Sequence, residues 1–290
     1  MGTGELPAVI QNDELTEEEN RMPNDLSKSR WLVLICVLAG VHLFVGCAAP
    51  GQHSVKSSEI PPDVNVLRVG VSTNSQPLVY RQGNTIVGLE ADFARELAKY
   101  LGKSLKFVEL DWEDQIPSLM SNKIDIIMSG MTITTLRGVR ISFCIPYLKS
   151  GQMALIRRAD SARFSTGIFT LTTSSAIGVI KNTFGEYFVD EQYSSVKKIA
   201  FSTSKSAVKA LIDKRIDMFI YDGPMVLYLA SANENNGLTA LFSPLTEEAL
   251  AWAVRKDNKE LLESANNFLK TINSDGRYKK LIKHWIPTAK

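Results

Sequence analysis

Arg137, Thr132 and Asp222 are side chains whose types suit the two ends of an α-amino acid. The arginine fork is planar and permanently charged, which matches a carboxylate. Thr132 and backbone amides near Ser129 can share that carboxylate where a helix begins. Asp222 can take an ammonium, and Trp112 offers an apolar wall or a cation–π face. Taken singly, each has a structural use. Arg137 can be a surface arginine, Trp112 a core residue, and Asp222, before Gly223-Pro224, the cap of a helix. Cys144, with no histidine nearby in sequence, reads as a small buried residue. Trp112, Thr132, Arg137 and Asp222 gain meaning together, because all four lie at or just beyond the end of a short apolar run.

Those runs come from a passage written twice. Leu119–Gly130 reads L-M-S-N-K-I-D-I-I-M-S-G and Leu211–Asp222 reads L-I-D-K-R-I-D-M-F-I-Y-D. Each is the end of an amphipathic helix, a basic residue, Ile-Asp, then a strand that stops at a polar group. Asp125 and Asp217, beside the repeated isoleucine, are read as structural residues at the strand starts.

The rest of the chain repeats the alternation. L-R-V-G-V at 67–71 has period two and predicts a strand. Gly83-Asn84 sits in a hairpin-like excursion. Phe93, Leu97 and Leu101 make a helix face that Gly102 ends. Leu105–Leu110 is a strand. Ile116, Leu119 and Met120 face one side of a helix with Pro117 in its first turn, and Ile124–Met128 is a buried strand. The order returns with strands at Ile177–Ile180, Val196–Phe201 and Ile216–Tyr221. Helices at Phe184–Glu191, Ser204–Lys214 and Met225–Ala232 separate and follow them. In the second of these, Val208, Leu211 and Ile212 point inward and a serine near the start caps. A-L-A-W-A-V-R predicts one strand, followed by helices through Leu261–Ile272 and Tyr278–Trp285. This is α/β with mostly parallel sheets and right-handed crossovers. Gly151–Arg158 and Pro244–Ala249 are the expected crossings between halves. Ligands in such sheets bind beyond the carboxyl ends of strands. The strand ends here are Ser72-Thr73-Asn74-Ser75, Asp111-Trp112, Ser129 with Thr132 and Arg137, Lys181-Asn182-Thr183, and Asp222.

Bulk properties narrow the class. A chain of 290 residues with 44% hydrophobic content has room for two medium domains. Its 33 basic and 31 acidic residues give +2, with no long basic run, so nucleic acid is not an expected partner. Three histidines and three cysteines share no metal-ligand spacing, so neither metal nor cofactor is expected. Residues 1–27 are polar and acidic. Lys28 and Arg30 then precede an apolar run from Trp31 to Val45 and Gly46-Cys47-Ala48-Ala49, the pattern of a secretory signal. A start at Met22 gives that signal an ordinary length. V-G-C-A resembles a bacterial lipoprotein processing site with Cys47 lipidated; an uncleaved anchor is the alternative. Both place the remainder outside the cytoplasm, tethered to a membrane. Ala48, in place of aspartate after the cysteine, favours the outer of two membranes. The expected organisation is a leader at 1–47 and a flexible tether at 48–64. One lobe follows at 65–150 with 246–290, and a second at 151–245.

Leu67–Pro287 resembles the extracellular solute-binding proteins of polar amino-acid ABC transporters, family 3. The resemblance is carried by L-R-V-G-V, G-L-E-A-D-F-A-R-E-L-A, D-W-E-D-Q-I-P-S-L, K-I-D-I-I-M-S-G-M-T-I-T-T-L-R, F-C-I-P-Y, R-I-D-M-F-I-Y-D and G-R-Y-K-K-L-I-K-H-W. It implies a two-lobed type II periplasmic-binding-protein fold joined by two crossings. The implied protein is a monomer that closes on an amino acid or similar small carboxylate and delivers it to ABC permease subunits. It further implies Arg137 as the carboxylate-binding arginine, Thr132 as a helping hydroxyl, Gly130 as a backbone contributor, Asp222 as the ammonium-binding aspartate and Trp112 as pocket lining. Two positions depart from the family pattern. Ser75 stands where an aromatic residue often stacks on ligand, and Asn182-Thr183-Phe184 replaces a Gly-Thr-Thr-like turn, so that Phe184 displaces a hydroxyl. Asn182 can still adopt a left-handed conformation. Two alternatives share the scaffold. One is a ligand sensor that reports to a receptor. The other is an enzyme resembling periplasmic arogenate and prephenate dehydratases, with Glu90, Glu113 and Asp222 as acids by type alone.

Overall fold

The computed structural model describes residues 65–165 and 171–287; the leader, Cys47 and the tether lie outside them. Two five-stranded sheets dominate. The first runs, edge to edge, through Ser104–Glu109, Val66–Val71, Ile126–Ile127, Ala253–Arg255 and Ile141–Phe143. The second runs through Lys197–Phe201, Ala176–Ile180, Met218–Asp222, Gln152–Arg157 and Leu238–Leu241. In each, three strands are parallel and the fourth is antiparallel to both its neighbours. In each, that fourth strand is the one that follows a crossing. This is the type II periplasmic-binding-protein fold, two α/β lobes joined by two crossings.

The repeated passage builds the same object twice. Asn122 and Lys214, equivalent in the two copies, both take left-handed φ values, 62° and 59°, and end their helices. Asp125 then accepts the backbone N–H of Arg68 at 2.8 Å, and Asp217 accepts that of Ala176 at 2.8 Å. Each carboxylate thus pins the start of the neighbouring parallel strand, and each also holds an arginine, Arg68 at 2.6 Å and Arg163 at 2.8 Å. Hydrogen bonds to a charged group contribute roughly 1.5–3 kcal/mol. Asp217→Ala is expected to cost about 2 kcal/mol in urea unfolding. A loss below about 0.5 kcal/mol, the range of ordinary surface changes, would remove the aspartate from the sheet's support.

Packing explains the sheets' tight centres. Gly70 lies where an added Cβ would stand 2.4 Å from Ile124 Cδ1 and 2.7 Å from Gln115 Oε1, so a larger residue there would push both side chains out of place. Helix Leu89–Tyr100 buries Leu89, Phe93 and Leu97 on the first sheet. Phe93, Tyr147, Trp252 and Phe268 form an aromatic centre with ring centroids 5.5–6.1 Å apart. Cys144 is buried beside them, and burial pushes its thiol up to about 12, which leaves it inert.

Several local expectations need correction. The crossing strands are Leu148–Ser150 and Glu248–Leu250, paired as an antiparallel ribbon. Gln152–Arg157 is already a strand of the second sheet, so the first crossing is shorter than Gly151–Arg158. A-L-A-W-A-V-R is two strands. The chain leaves the ribbon at Leu250 and enters the first sheet at Ala253, with Ala251 N–H bonded to Met131 O across the break. Continuous hydrophobicity hides such a bend, because both pieces are buried. Met120 and Ile212 are 49% and 39% exposed, each in the last turn of a short helix where the apolar face runs out. Thr203, not a serine, caps the helix Ser204–Ile212, accepting Ser206 N–H at 3.2 Å.

Candidate functional site

The strand ends converge on a cavity of about 190 Å³ between the lobes. All nine predicted binding residues line it: Ser75, Trp112, Ser129, Gly130, Thr132, Arg137, Thr183, Phe184 and Asp222. Contacts cross the cleft at several points. Trp112 Nε1 donates to Asn182 O at 2.7 Å, and Asn182 Nδ2 donates to Glu113 at 3.1 Å. Among the described residues no group of histidine, cysteine and acidic side chains is arranged to hold a metal ion.

Arg137 sits on the one-turn helix Thr135–Gly138, whose cap Thr134 accepts the Arg137 N–H at 3.2 Å. Its Nη1 donates to Thr132 O at 2.9 Å, and its guanidinium lies 5.2 Å over the Trp112 ring. Trp112 therefore orients the arginine with one face, while its N–H ties it to the other lobe. Burial lowers the Arg137 pKa, opposed by Asp222 and Glu248, whose charges it faces.

Asp222 ends a fully buried strand and makes no cap bond to the helix Gly223–Ala232 that follows, so capping does not explain it. Its Oδ1 accepts from Gln152 Nε2 at 2.6 Å. Burial, then Glu248, raises its pKa to about 7, against the lowering effects of Gln152 and Arg137. A buried carboxylate opposite a half-buried guanidinium, in one cavity, forms a charge pair able to receive a zwitterion.

The smaller groups are held firmly. Ser129 Oγ accepts Ser72 N–H at 2.6 Å and joins the ends of two strands. Gly130 takes φ +69°, and its N–H donates to Glu90 Oε2 at 2.5 Å. Glu90 is fully buried, and burial raises its pKa to about 7. Thr183 Oγ1 donates to Ile180 O at 2.7 Å, and Asn182 adopts φ +60°, the left-handed geometry expected of it. Thr132 differs from expectation in one respect. Its single hydroxyl proton goes to Glu248 Oε2 at 2.9 Å, so it presents the cavity with an acceptor.

Sequence reasoning missed Tyr221, Gln152 and Glu248. Tyr221 lines the cavity from the second lobe. Gln152 and Glu248 stand behind Asp222 and Thr132, and their partners lie 70 to 116 residues away, beyond any local spacing. Tyr221 alone carries a signal, since it immediately precedes Asp222 at a strand end.

Residues 67–288 match the family model of bacterial extracellular solute-binding proteins, family 3. The chain is 29% identical over 227 residues to the ABC transporter arginine-binding protein 1 of Escherichia coli, across 76% of this chain and 90% of that one. It superposes with a TM-score of 0.71 on the crystal structure of an ancestral amino acid-binding protein described as a precursor of cyclohexadienyl dehydratase. That match is 33% identical and covers 76% of this chain and 95% of the other. A Wolinella succinogenes ABC-transporter binding component complexed with lysine superposes at 0.71, with 30% identity over 77% of this chain and 96% of that one.

Proposed function

As the chain belongs to the bacterial extracellular solute-binding proteins, family 3, and so captures a solute for an ABC transporter, we propose that its cleft binds a basic amino acid by hinge closure. The observation that carries this reading is that Arg137 and Asp222, from opposite lobes, face one cavity with opposite charge. Arg137 holds the α-carboxylate, with backbone from Ser129; the Gly130 N–H, expected to help, is committed to Glu90. Asp222 and the Thr132 oxygen take the α-ammonium. Trp112, Phe184 and Tyr221 line the side chain, Tyr221 supplying an aromatic face that Ser75 does not. Asp111 and Glu113 also line the cavity and suit a cationic side chain, with Lys181 as the one cation of the lining besides Arg137. The arginine-binding relative and the lysine complex support that class.

The lobes, 65–150 with 246–290 and 151–245, close about the ribbon of Leu148–Ser150 and Glu248–Leu250. The protein acts as a monomer, anchored by lipid on Cys47, and passes ligand to permease subunits without chemical turnover. The test is calorimetry of the purified chain against the twenty amino acids and simple carboxylates. One-to-one binding of L-arginine or L-lysine is expected. Silence with all of them would overturn the reading, and product formed from prephenate would replace it with an enzyme. Cys47→Ala should release the protein from the membrane fraction.

A further inference from the structure

We propose that Glu248 is a positioning residue for the cleft, a carboxylate at the crossing that gathers Thr132 from one lobe and Gln152 from the other and thereby aims both poles of the site. This deepens the amino-acid reading of the same cavity. Glu248 does not line the cavity itself. Its Oε2 accepts from Thr132 Oγ1 at 2.9 Å, and its Oε1 accepts from Thr246 Oγ1 at 2.6 Å and Gln152 Nε2 at 3.1 Å. Thr132 O in turn holds Arg137 Nη1, and Gln152 Nε2 in turn holds Asp222 Oδ1 at 2.6 Å. One carboxylate thus reaches the arginine pole through Thr132 and the aspartate pole through Gln152.

The arrangement has little freedom. An amide nitrogen has two protons, and Gln152 spends one on Asp222 and one on Glu248. It bridges two like charges that would otherwise only repel. Turning the amide over would set its oxygen against both carboxylates. Gly185 packs so closely that an added Cβ would stand 2.6 Å from Gln152 Oε1. That oxygen is buried without a partner, which is the cost of keeping both protons on the carboxylates. The Gln152 backbone closes a ring, since its N–H donates to Thr246 Oγ1 at 2.7 Å. Because Thr132 gives its proton to Glu248, its oxygen lone pairs face the cavity, which suits an ammonium. Arg137 against Asp222 and Glu248 leaves one net negative charge around the site's deep end, again favouring a cation.

The experiment follows the Asp222 carboxyl by carbon-13 NMR across pH 4–9 in the full chain, ligand-free, for wild type and Glu248→Gln. The charged and titratable groups facing Asp222 are Glu248, Arg137, Tyr221 and Tyr147. The tyrosines stay neutral over this range. Glutamine keeps the size of Glu248 but removes the like charge and offers one acceptor to three donors. The Asp222 midpoint is expected to fall by about one pH unit, the shift a like charge at close range produces. L-arginine binding at pH 8 is expected to weaken at least tenfold. Thr132→Val keeps the charge and cuts the link, so it should weaken L-arginine binding while leaving the Asp222 midpoint in place. An unchanged midpoint in Glu248→Gln, or unchanged binding in Thr132→Val, overturns the proposal. A wild type that binds no amino acid overturns the reading of the cavity, and the ligand-free titration then decides Glu248 alone.

Discussion

Arg137→Ala is expected to abolish amino-acid binding, with a loss of at least about a hundredfold, while the chain remains folded. A guanidinium–carboxylate pair makes two charge-assisted hydrogen bonds, each contributing roughly 1.5–3 kcal/mol. Even the lower figure doubled gives about 3 kcal/mol, and each 1.4 kcal/mol is tenfold in affinity. The fold loses little, because the side chain's described hydrogen bond is the one to Thr132 O and its ring contact is with Trp112. Truncation also leaves Asp222 and Glu248 facing each other with no cation between them. The Asp222 pKa then rises further, and the binding defect becomes larger at pH 7 than at pH 9. Arg137→Lys keeps the charge and loses the fork, so it should recover the pH behaviour but not the affinity. Calorimetry of the three proteins at both pH values reads all of this. Full-strength binding by the alanine variant would remove Arg137 from the site.

The sequence carries much of this because the repeat is local. The helix end, the left-handed residue, the Ile-Asp and the strand lie within twelve residues. The pinning of Arg68 by Asp125 and of Ala176 by Asp217 follows from that local order. Strand ends are equally legible, since apolar runs stop at Ser129, Lys181 and Asp222, and parallel sheets place such ends together. What is hidden depends on distance along the chain or on a bend. Glu248 is one acid in a polar stretch until Thr132, 116 residues away, is bonded to it. The break at Ala251-Trp252 is buried on both sides, so no change in hydrophobicity marks it. Glu90 appears in the sequence as an acid near the start of an amphipathic helix. Its role in holding the Gly130 N–H requires the first sheet to exist.

Binding is expected to weaken about tenfold for each pH unit below 7, reaching roughly a hundredfold at pH 5 relative to pH 8. The cause is Asp222, which burial and Glu248 raise to about 7. A protonated Asp222 cannot pair with an ammonium, so below that pH ligand must displace a proton. The sign for the ligand-free fold is opposite. A buried carboxyl raised to about 7 binds its proton in the folded state over the range where the unfolded chain, near pH 4, has released it. The stability from Asp222, and from Glu90 raised likewise, is therefore fully present below about pH 4 and lost as pH rises through 7. Thermal unfolding without ligand should thus show a midpoint that falls between pH 4 and 7. With saturating L-arginine the stabilisation should grow across the same interval, because the ion pair replaces the proton. Asp222→Asn separates the two effects. It removes Asp222's share of the ligand-free pH dependence, leaves that of Glu90, and flattens the pH dependence of whatever binding survives. A wild-type affinity that stays level from pH 8 to 5 would mean that Asp222 does not carry the ligand's positive charge.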